Sequence, residues 1–118
     1  MIPKYIHCVI SDNIDTDTST EQLDEAIKSA FANNRDEVAK RLAQDSHLCG
    51  YSLQIIEQAI LNCIFNSYKD LFLSRYVDGI AKSKIGAVYG ISKYAGDEMS
   101  TDLSYKLKKH CQRIKNAR

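Results

Sequence analysis

The sequence contains no tryptophan, only one proline and no long apolar run. No stretch approaches the roughly 20 apolar residues that a membrane-spanning helix needs, which excludes such a helix, and we expect no membrane partner. The opening residues, MIPKYIHCVISDN, lack the basic start and the full apolar core of a secretory signal, so we expect a cytoplasmic protein. Of the 118 residues, 44% are hydrophobic and 26% are charged, which is typical of a globular chain that forms one compact domain.

Cysteine pairs with the close spacing of a zinc knuckle are also missing. The four cysteines stand far apart: Cys8, Cys49, Cys63 and Cys111. A zinc site can still be assembled from three neighbouring pairs: His7 with Cys8, His47 with Cys49, and His110 with Cys111. Structural zinc sites usually draw at least one ligand pair from a tight C-x₂₋₄-C knuckle. We therefore expect no metal site, and we expect free, mostly buried thiols in a reducing compartment.

Signatures of catalysis are absent from the sequence as well. It holds no paired carboxylates, no phosphate-binding glycine loop and no nucleophile motif. We therefore expect a protein that is not an enzyme and that carries no cofactor.

Charge divides the chain into two segments. Residues 1–50 hold nine acids and five bases, a net charge of −4, whereas residues 51–118 hold eleven bases and six acids, a net charge of +5. The acidic segment is expected to contact protein, with RNA polymerase and a second copy of the chain (a homodimer) both open as partners. The basic segment can approach phosphate. Its basic end, KLKKHCQRIKNAR, can equally be an ordinary solvated helix terminus.

The hydrophobic pattern predicts an all-α fold with an N-terminal helical segment. YIHCVI, at residues 5–10, is the one run that can form a short strand. Thr18 or Ser19 can cap a helix that runs to about Ala32, and Asn34 with Glu37 can cap a second. The strongest apolar stripe predicts a central helix from Ser52 to about Phe65, followed by a helix that ends at a left-handed Gly79. One core is expected to contain Ile56, Ile60, Leu71, Phe72, Tyr76, Ile85, Ile91 and Leu103.

The stretch RYVDGIAKSKIGAVYGISKYAGDEM, residues 75–99, is typical of two helices around a tight glycine turn. Gly86 supplies the small residue on which a second helix can pack, and Gly90 supplies the positive φ of the turn. Ile85 and Ile91 flank the turn, and Ser92 can cap the second helix, which we expect over residues 93–109. The pattern predicts a helix-turn-helix.

The segment DLFLSRYVDGIAKSKIGAVYGIS resembles region 4 of bacterial sigma factors and their relatives. The matching positions are Arg75, Tyr76, Gly79, Ile80, Ile85, Gly90, Ile91 and Ser92. The resemblance extends through LSYKLKK and covers roughly residues 52–112. It implies a transcription regulator that binds double-stranded DNA through residues 80–112. In chain size and layout, the sequence looks most like the phage late-gene antitermination proteins of the Q type.

Two departures from the sigma pattern bear on function. The family prefers valine or isoleucine where this chain has Gly96, and we expect the glycine to remove a contact between the two helices. The family often has arginine and glutamine where Asp97 and Glu98 stand. A carboxylate can accept a hydrogen bond from cytosine N4 in the major groove, but it repels phosphate.

The acids therefore leave two functions open. The residues expected to contact DNA are Lys82, Lys84, Ser92, Lys93, Tyr94, Asp97, Lys106, Lys108 and Lys109. The alternative function is a protein-interaction module, such as an inhibitor of a host factor, which keeps the scaffold without strong DNA binding. In a third interpretation, the acids merely complement the positive end of their own helix dipole.

Overall fold

The computed structural model describes residues 20–117, and this part of the protein is all-α. It contains six helices: α1 (Thr20–Asn33), α2 (Arg35–Ala43), α3 (Leu53–Cys63), α4 (Asn66–Phe72), α5 (Ile85–Tyr89) and α6 (Lys93–Asn116). The predicted strand at residues 5–10 and the predicted caps at Thr18 and Ser19 lie outside the described residues. The predicted all-α class is therefore confirmed for the described part of the chain.

The junction between α1 and α2 is held by backbone rather than by a capping side chain. α1 ends at Asn33, one residue beyond the predicted end at about Ala32. The Asn34 backbone N–H donates to the Ala30 carbonyl oxygen at 2.8 Å, but the Asn34 side chain makes no capping hydrogen bond. The expected capping box between Asn34 and Glu37 is therefore wrong. Asn34 still leads into α2 because its φ of −116° takes it out of the helical conformation.

The central helix α3 begins as predicted but ends early. The Ser52 hydroxyl accepts a hydrogen bond from the Ile55 N–H at 3.3 Å, which satisfies one of the free donors of the first turn. The helix ends at Cys63, because Ile64 is extended with φ −122° and ψ 157°. Phe65, which we expected to lie near the helix end, caps α4 instead and is 80% exposed.

A wide turn extends α4 toward the glycine that ends it. The π-helical turn Leu73–Val77 continues directly from Phe72, and Gly79 follows with a φ of +75°, as predicted for a C-terminal glycine. The free carbonyls at this helix end are satisfied by Arg41 of α2, whose Nη1 donates to Tyr76 O at 3.1 Å and to Val77 O at 2.8 Å. The cation also suits the negative end of the helix dipole.

One hydrophobic core unites the two charge segments. Leu23 and Ile27 of α1 are buried together with Ile60 of α3 and Leu103 of α6. The Phe72 ring lies at the centre, stacked on Phe31 with centroids 5.9 Å apart. Seven of the eight residues expected in this core are buried in it: Ile56, Ile60, Leu71, Phe72, Tyr76, Ile85 and Leu103. Ile91 was predicted there wrongly, because it lies half-buried in the turn after α5.

The expectation of mostly buried thiols also needs correction. Among the three described cysteines, Cys49 and Cys63 are exposed and only Cys111 is buried. Cys49 lies in the connection after α2, and Cys63 is the last residue of α3, so neither position faces the core.

Within residues 20–117, no helix is long and apolar enough to cross a membrane.

Candidate nucleic-acid interface

The interface that the sequence predicts is built on α5, a three-residue turn and α6. Gly90 ends α5 with a φ of +71° and a ψ of 28°, the left-handed conformation that glycine adopts at little cost. The Ile91 N–H then donates to the Gly86 carbonyl oxygen at 2.8 Å. The Ser92 hydroxyl accepts from the Ala95 N–H at 3.1 Å and starts α6. Gly90 and Ser92 therefore act in the turn as predicted.

Two glycines let the helices cross with their backbones in contact. A Cβ added to Gly96 would lie 2.3 Å from the Gly86 backbone nitrogen, far inside van der Waals contact. A Cβ on Gly86 would lie equally close, 2.3 Å, to the Ser92 carbonyl oxygen. The expectation that Gly96 removes a contact between the helices is therefore wrong. The pair replaces a side-chain contact by a closer backbone contact, which a valine or isoleucine would prevent.

Hydroxyl groups tie α5 to α4. The Tyr89 hydroxyl lies 2.9 Å from the Ser74 hydroxyl and donates to Asp70 Oδ2 at 3.3 Å. Burial, reinforced by the charge of Asp78 and opposed by the Tyr89 hydrogen bond, raises the pKa of Asp70 to about 8. Asp70 is thus largely protonated at neutral pH, and its fully buried side chain then carries no charge.

A second polar cluster ties α6 to the connection between α2 and α3. The Asp45 carboxylate accepts hydrogen bonds from the Tyr76 hydroxyl, from the Ser104 hydroxyl at 2.7 Å and from the His47 N–H at 2.8 Å. Burial acts to raise the pKa of Asp45, but these three hydrogen bonds outweigh it and hold the pKa below its ordinary value. The ionised carboxylate thereby fixes α6 relative to the rest of the core.

The predicted DNA-contacting residues form two groups on the surface. The first surrounds the start of α6: Lys82 and Lys84 in the 3₁₀ turn before α5, then Ser92, Lys93 and Tyr94. All five are exposed, Tyr94 to 74%, whereas Asp97 lies half-buried one turn further along. The second group is Lys106, Lys108 and Lys109. About 24 Å of helix separates Lys93 from Lys109, so the two groups meet different parts of any long ligand.

Lys106 makes an ion pair and a cation–π contact within the protein. Its Nζ lies 4.0 Å from Asp102 Oδ2 and 5.6 Å from the centre of the Tyr68 ring. The Tyr68 hydroxyl donates to the same Asp102 carboxylate. Lys106 is exposed, as Lys109 is, but Asp102 offsets part of its charge, whereas Lys108 and Lys109 take part in none of the ion pairs found in the part of the chain that the structure describes.

The outer face of α6 changes sign along its length. Residues 93–102 contain three acids and one base, whereas residues 106–115 contain five bases and no acid. His110 lies in the basic part but adds little charge, because burial and then the nearby Arg113 and Lys109 lower its pKa. Asp97, Glu98 and Asp102 line a shallow hollow of about 560 Å³ beside Met99, Thr101 and Tyr105. The half of α6 that begins at the turn is therefore the acidic half.

Three exposed residues of this face were not named individually among the expected DNA contacts. Tyr105 is 64% exposed and lies between the acidic and basic halves, and Arg113 and Lys115 extend the basic half. Their position on this face could have been found from the spacing of residues along the helix. Residues that recur every three or four positions form one uninterrupted exposed stripe: Tyr94, Glu98, Thr101, Tyr105, Lys109, Gln112 and Asn116. The predicted helix was stopped at residue 109, so its last two turns were not placed on this face.

Comparison of the chain with protein-family models, with curated proteins and with solved structures finds no match. Within residues 20–117, no three His, Cys, Asp or Glu side chains lie together in a group that could hold a metal ion.

Proposed function

We propose that the protein is a DNA-binding transcription regulator in which α5, the Gly90 turn and α6 form a helix-turn-helix. The observation that carries the proposal is the start of α6. Ser92 caps this helix, and Lys93 and Tyr94 follow it with exposed side chains. In helix-turn-helix proteins, the first residues of the second helix reach base edges in the major groove.

The surroundings of this helix start suit a phosphate backbone. Lys82 and Lys84 are exposed in the turn just before α5, and the positive end of the α6 dipole adds to their attraction for phosphate. In the proposed pose, Lys93 and Tyr94 contact bases, and the two lysines of the 3₁₀ turn contact phosphates. Lys108 and Lys109 approach a more distant phosphate, with Lys106 contributing less because Asp102 already pairs with it.

Asp97 is assigned a base contact in this pose. It follows Lys93 by one helical turn on the same side of α6. Its carboxylate can accept a hydrogen bond only from a donor such as cytosine N4, and it disfavours a purine that presents acceptors at the same place. The acid would then cost general affinity and add selectivity.

Lys93→Gln tests the assignment of the helix start, with Lys40→Gln as matched control. Lys40 is exposed on α2 and its removal changes the net charge by the same amount. On a duplex selected from a random pool, we expect Lys93→Gln to weaken binding by about 1–3 kcal/mol and to relax selectivity at one position. Fluorescence anisotropy titrations give both affinities. Equal losses in the two variants would contradict the proposed pose.

A protein-interaction module is the second candidate, and the acidic half of α6 favours it. Three carboxylates line the hollow beside Tyr105, and Tyr94 is exposed next to them. Exposed aromatic residues flanked by charge are typical of protein-binding surfaces. In that case α6 binds a basic partner, such as a host factor that the protein inhibits.

The regulator proposal also includes a protein partner for the first segment. Glu21, Glu25 and Asp36 are exposed on α1 and α2. RNA polymerase or a second copy of the chain are the partners proposed for this surface. A phage late-gene antitermination role would require the first of them.

A further inference from the structure

Two adjoining hollows lie beside the connection between α2 and α3, and α6 lines the smaller of them. The larger, about 320 Å³, and the smaller, about 230 Å³, share Gln44, Asp45 and Arg75 on their walls. Arg41 and Gly79 close the larger one, and Lys82 and Thr101 close the smaller. We call the two together the Arg75 cleft. It lies where the two charge segments of the sequence meet.

The walls of the Arg75 cleft are rich in cations and in hydrogen-bond donors. Arg41, Arg75 and Lys82 carry positive charge, and His47 adds an imidazole. The single carboxylate on these walls is Asp45, whose oxygens already accept from Tyr76, Ser104 and the His47 backbone. Its charge opposes an anion, and Arg41 already pairs with Glu37 at 3.5 Å, but Arg75 and Lys82 take part in none of the ion pairs found among the described residues.

Arg75 is the residue whose bonding is incomplete. Its Nη1 donates to the Ile80 carbonyl oxygen at 3.0 Å, and its guanidinium carbon lies 5.0 Å from the centre of the Tyr76 ring. Its Nε is buried and has no hydrogen-bond acceptor. The ion pairs found among residues 20–117 do not include Arg75. The half-buried Arg75 guanidinium therefore keeps one buried donor without an acceptor.

This orphan donor differs from the other two buried side-chain atoms that lack a partner within residues 20–117, Asp70 Oδ1 and His110 Nδ1. Asp70 holds a proton at neutral pH because its pKa is raised to about 8, and the lowered pKa of His110 leaves that ring neutral. An arginine cannot release its proton, so only an acceptor can satisfy it. Buried donors without a protein partner commonly bind water or an ion.

We propose that the Arg75 cleft binds an oxyanion of the phosphate type. The planar fork of a guanidinium matches two oxygens of a phosphate group, and a lysine can complete the neutralisation as a point charge. Lys82 and the Thr101 hydroxyl, on the wall of the smaller hollow, supply that charge and a further donor. Both a free phosphate-bearing metabolite and a phosphate of the DNA backbone could supply such an oxyanion. We favour the metabolite because the cleft is a hollow enclosed by three separate parts of the chain.

Occupation of the cleft would link the two halves of the protein. The ligand would touch the α2–α3 connection on one side and, on the other, the start of the 3₁₀ turn and the part of α6 around Thr101. An anion that binds only the folded protein stabilises it by mass action, so its binding is visible as a rise in melting temperature. This readout does not depend on DNA binding, and the proposed function and the cleft can therefore fail separately.

Inorganic phosphate is the probe, titrated against sodium chloride at constant ionic strength while the melting temperature is recorded. We expect a saturable rise of about 3 °C or more, which chloride does not produce. Arg75→Lys keeps the charge but loses the fork, and Lys82→Gln removes a charge from an exposed side chain. Each should weaken phosphate binding at least fivefold, and Lys40→Gln on α2 should not. Absence of a saturable rise, or equal binding by Lys82→Gln and the control, overturns the proposal.

A duplex titration of the same variants identifies the source of the phosphate. If Arg75→Lys weakens phosphate binding and leaves the affinity for a random duplex unchanged, a small phosphate-bearing ligand is the occupant. If it weakens both alike and phosphate displaces the duplex, the occupant is a backbone phosphate. Both results retain a phosphate site in the Arg75 cleft.

Discussion

Gly86 and Gly96 have the strictest requirement for their residue type among the described positions. They lie where α5 and α6 cross, and neither has room for a single additional carbon atom. Gly90 is different, because open space surrounds it and only its φ of +71° favours glycine. Two separate physical reasons, close approach and backbone conformation, therefore select glycine within one short stretch.

Gly96→Ala should destabilise the protein by at least about 2 kcal/mol, because the new methyl group forces the helices apart. The loss is expected although alanine by itself favours a helix by roughly 1 kcal/mol. Gly50→Ala is the matched control, since nothing lies within 4 Å of a Cβ there. Urea unfolding measures both variants. A Gly96→Ala protein as stable as the Gly50→Ala protein would refute the backbone contact.

Asp70 should make the stability of the protein fall as the pH rises. Its pKa is about 8 in the folded state, against the 3.8 of an ordinary aspartate in an unfolded chain, so the folded protein holds the proton more tightly between these values. Stability attributable to Asp70 is therefore greatest near pH 4 and is lost progressively toward pH 8. Tyr89 and Asp78 are the titratable groups that influence it directly.

Asp70→Asn tests this dependence, because the amide cannot ionise. We expect the variant to exceed the wild-type stability by more than about 1 kcal/mol at pH 8, and the difference to shrink steadily as the pH falls to about 4. Asp45 does not confuse the comparison, since its lowered pKa confines its own effect to acid below about pH 4. If the free energies of unfolding of wild type and variant differ by the same amount at every pH from about 4 to about 8, Asp70 is not protonated in the folded protein.

At the level of the helices, Ser52 caps α3 through its side chain, whereas Asn34 precedes α2 without a side-chain hydrogen bond. Ser52→Ala should cost about 1 kcal/mol, because the Ile55 N–H loses its acceptor. Asn34→Ala should cost less than about 0.5 kcal/mol, because the Asn34 side chain makes no capping bond. Thermal or urea unfolding of the two variants gives the comparison. Equal losses would show that the two residues begin their helices in the same way.

The helices themselves could be predicted because their signals are local. The apolar stripe of α3, the serine before it and the glycine after α4 each report the backbone conformation of a few neighbouring residues. The wide turn Leu73–Val77 has no such local signal, since Arg41 from another helix binds its free carbonyls. The end of α3 at Cys63 was missed because Ile64 and Phe65 continue the apolar pattern of the helix.

In the candidate interface, the sequence predicted the roles that depend on neighbouring residues and missed those that depend on residues far away in the chain. Gly90 and Ser92 act within their own turn, and both were assigned correctly. Gly96 was misread because its role depends on Gly86, ten residues away and on another helix. The Arg75 cleft needed three separate parts of the chain to be brought together, which no spacing in the sequence indicates.

Over the whole molecule, the arrangement of charge restricts how DNA can be bound. Lysines surround the start of α6, acids follow within two turns, and bases dominate its final part. A duplex held by both basic regions must pass close to Asp97 and Glu98. We therefore expect a modest general affinity that depends on salt, with the acids acting as the main opposing charge.

The most direct test of the proposed function is the affinity for a random-sequence duplex as a function of salt, measured by anisotropy for the wild type and for Asp97→Asn with Glu98→Gln. We expect the logarithm of the binding constant to fall linearly with the logarithm of the salt concentration, with a slope of about −0.9 for each phosphate neutralised. The double variant should bind this duplex more tightly than the wild type at every salt concentration. If neither protein binds the duplex at low salt, the regulator proposal is contradicted, and the acidic hollow on α6 becomes the surface for a protein partner.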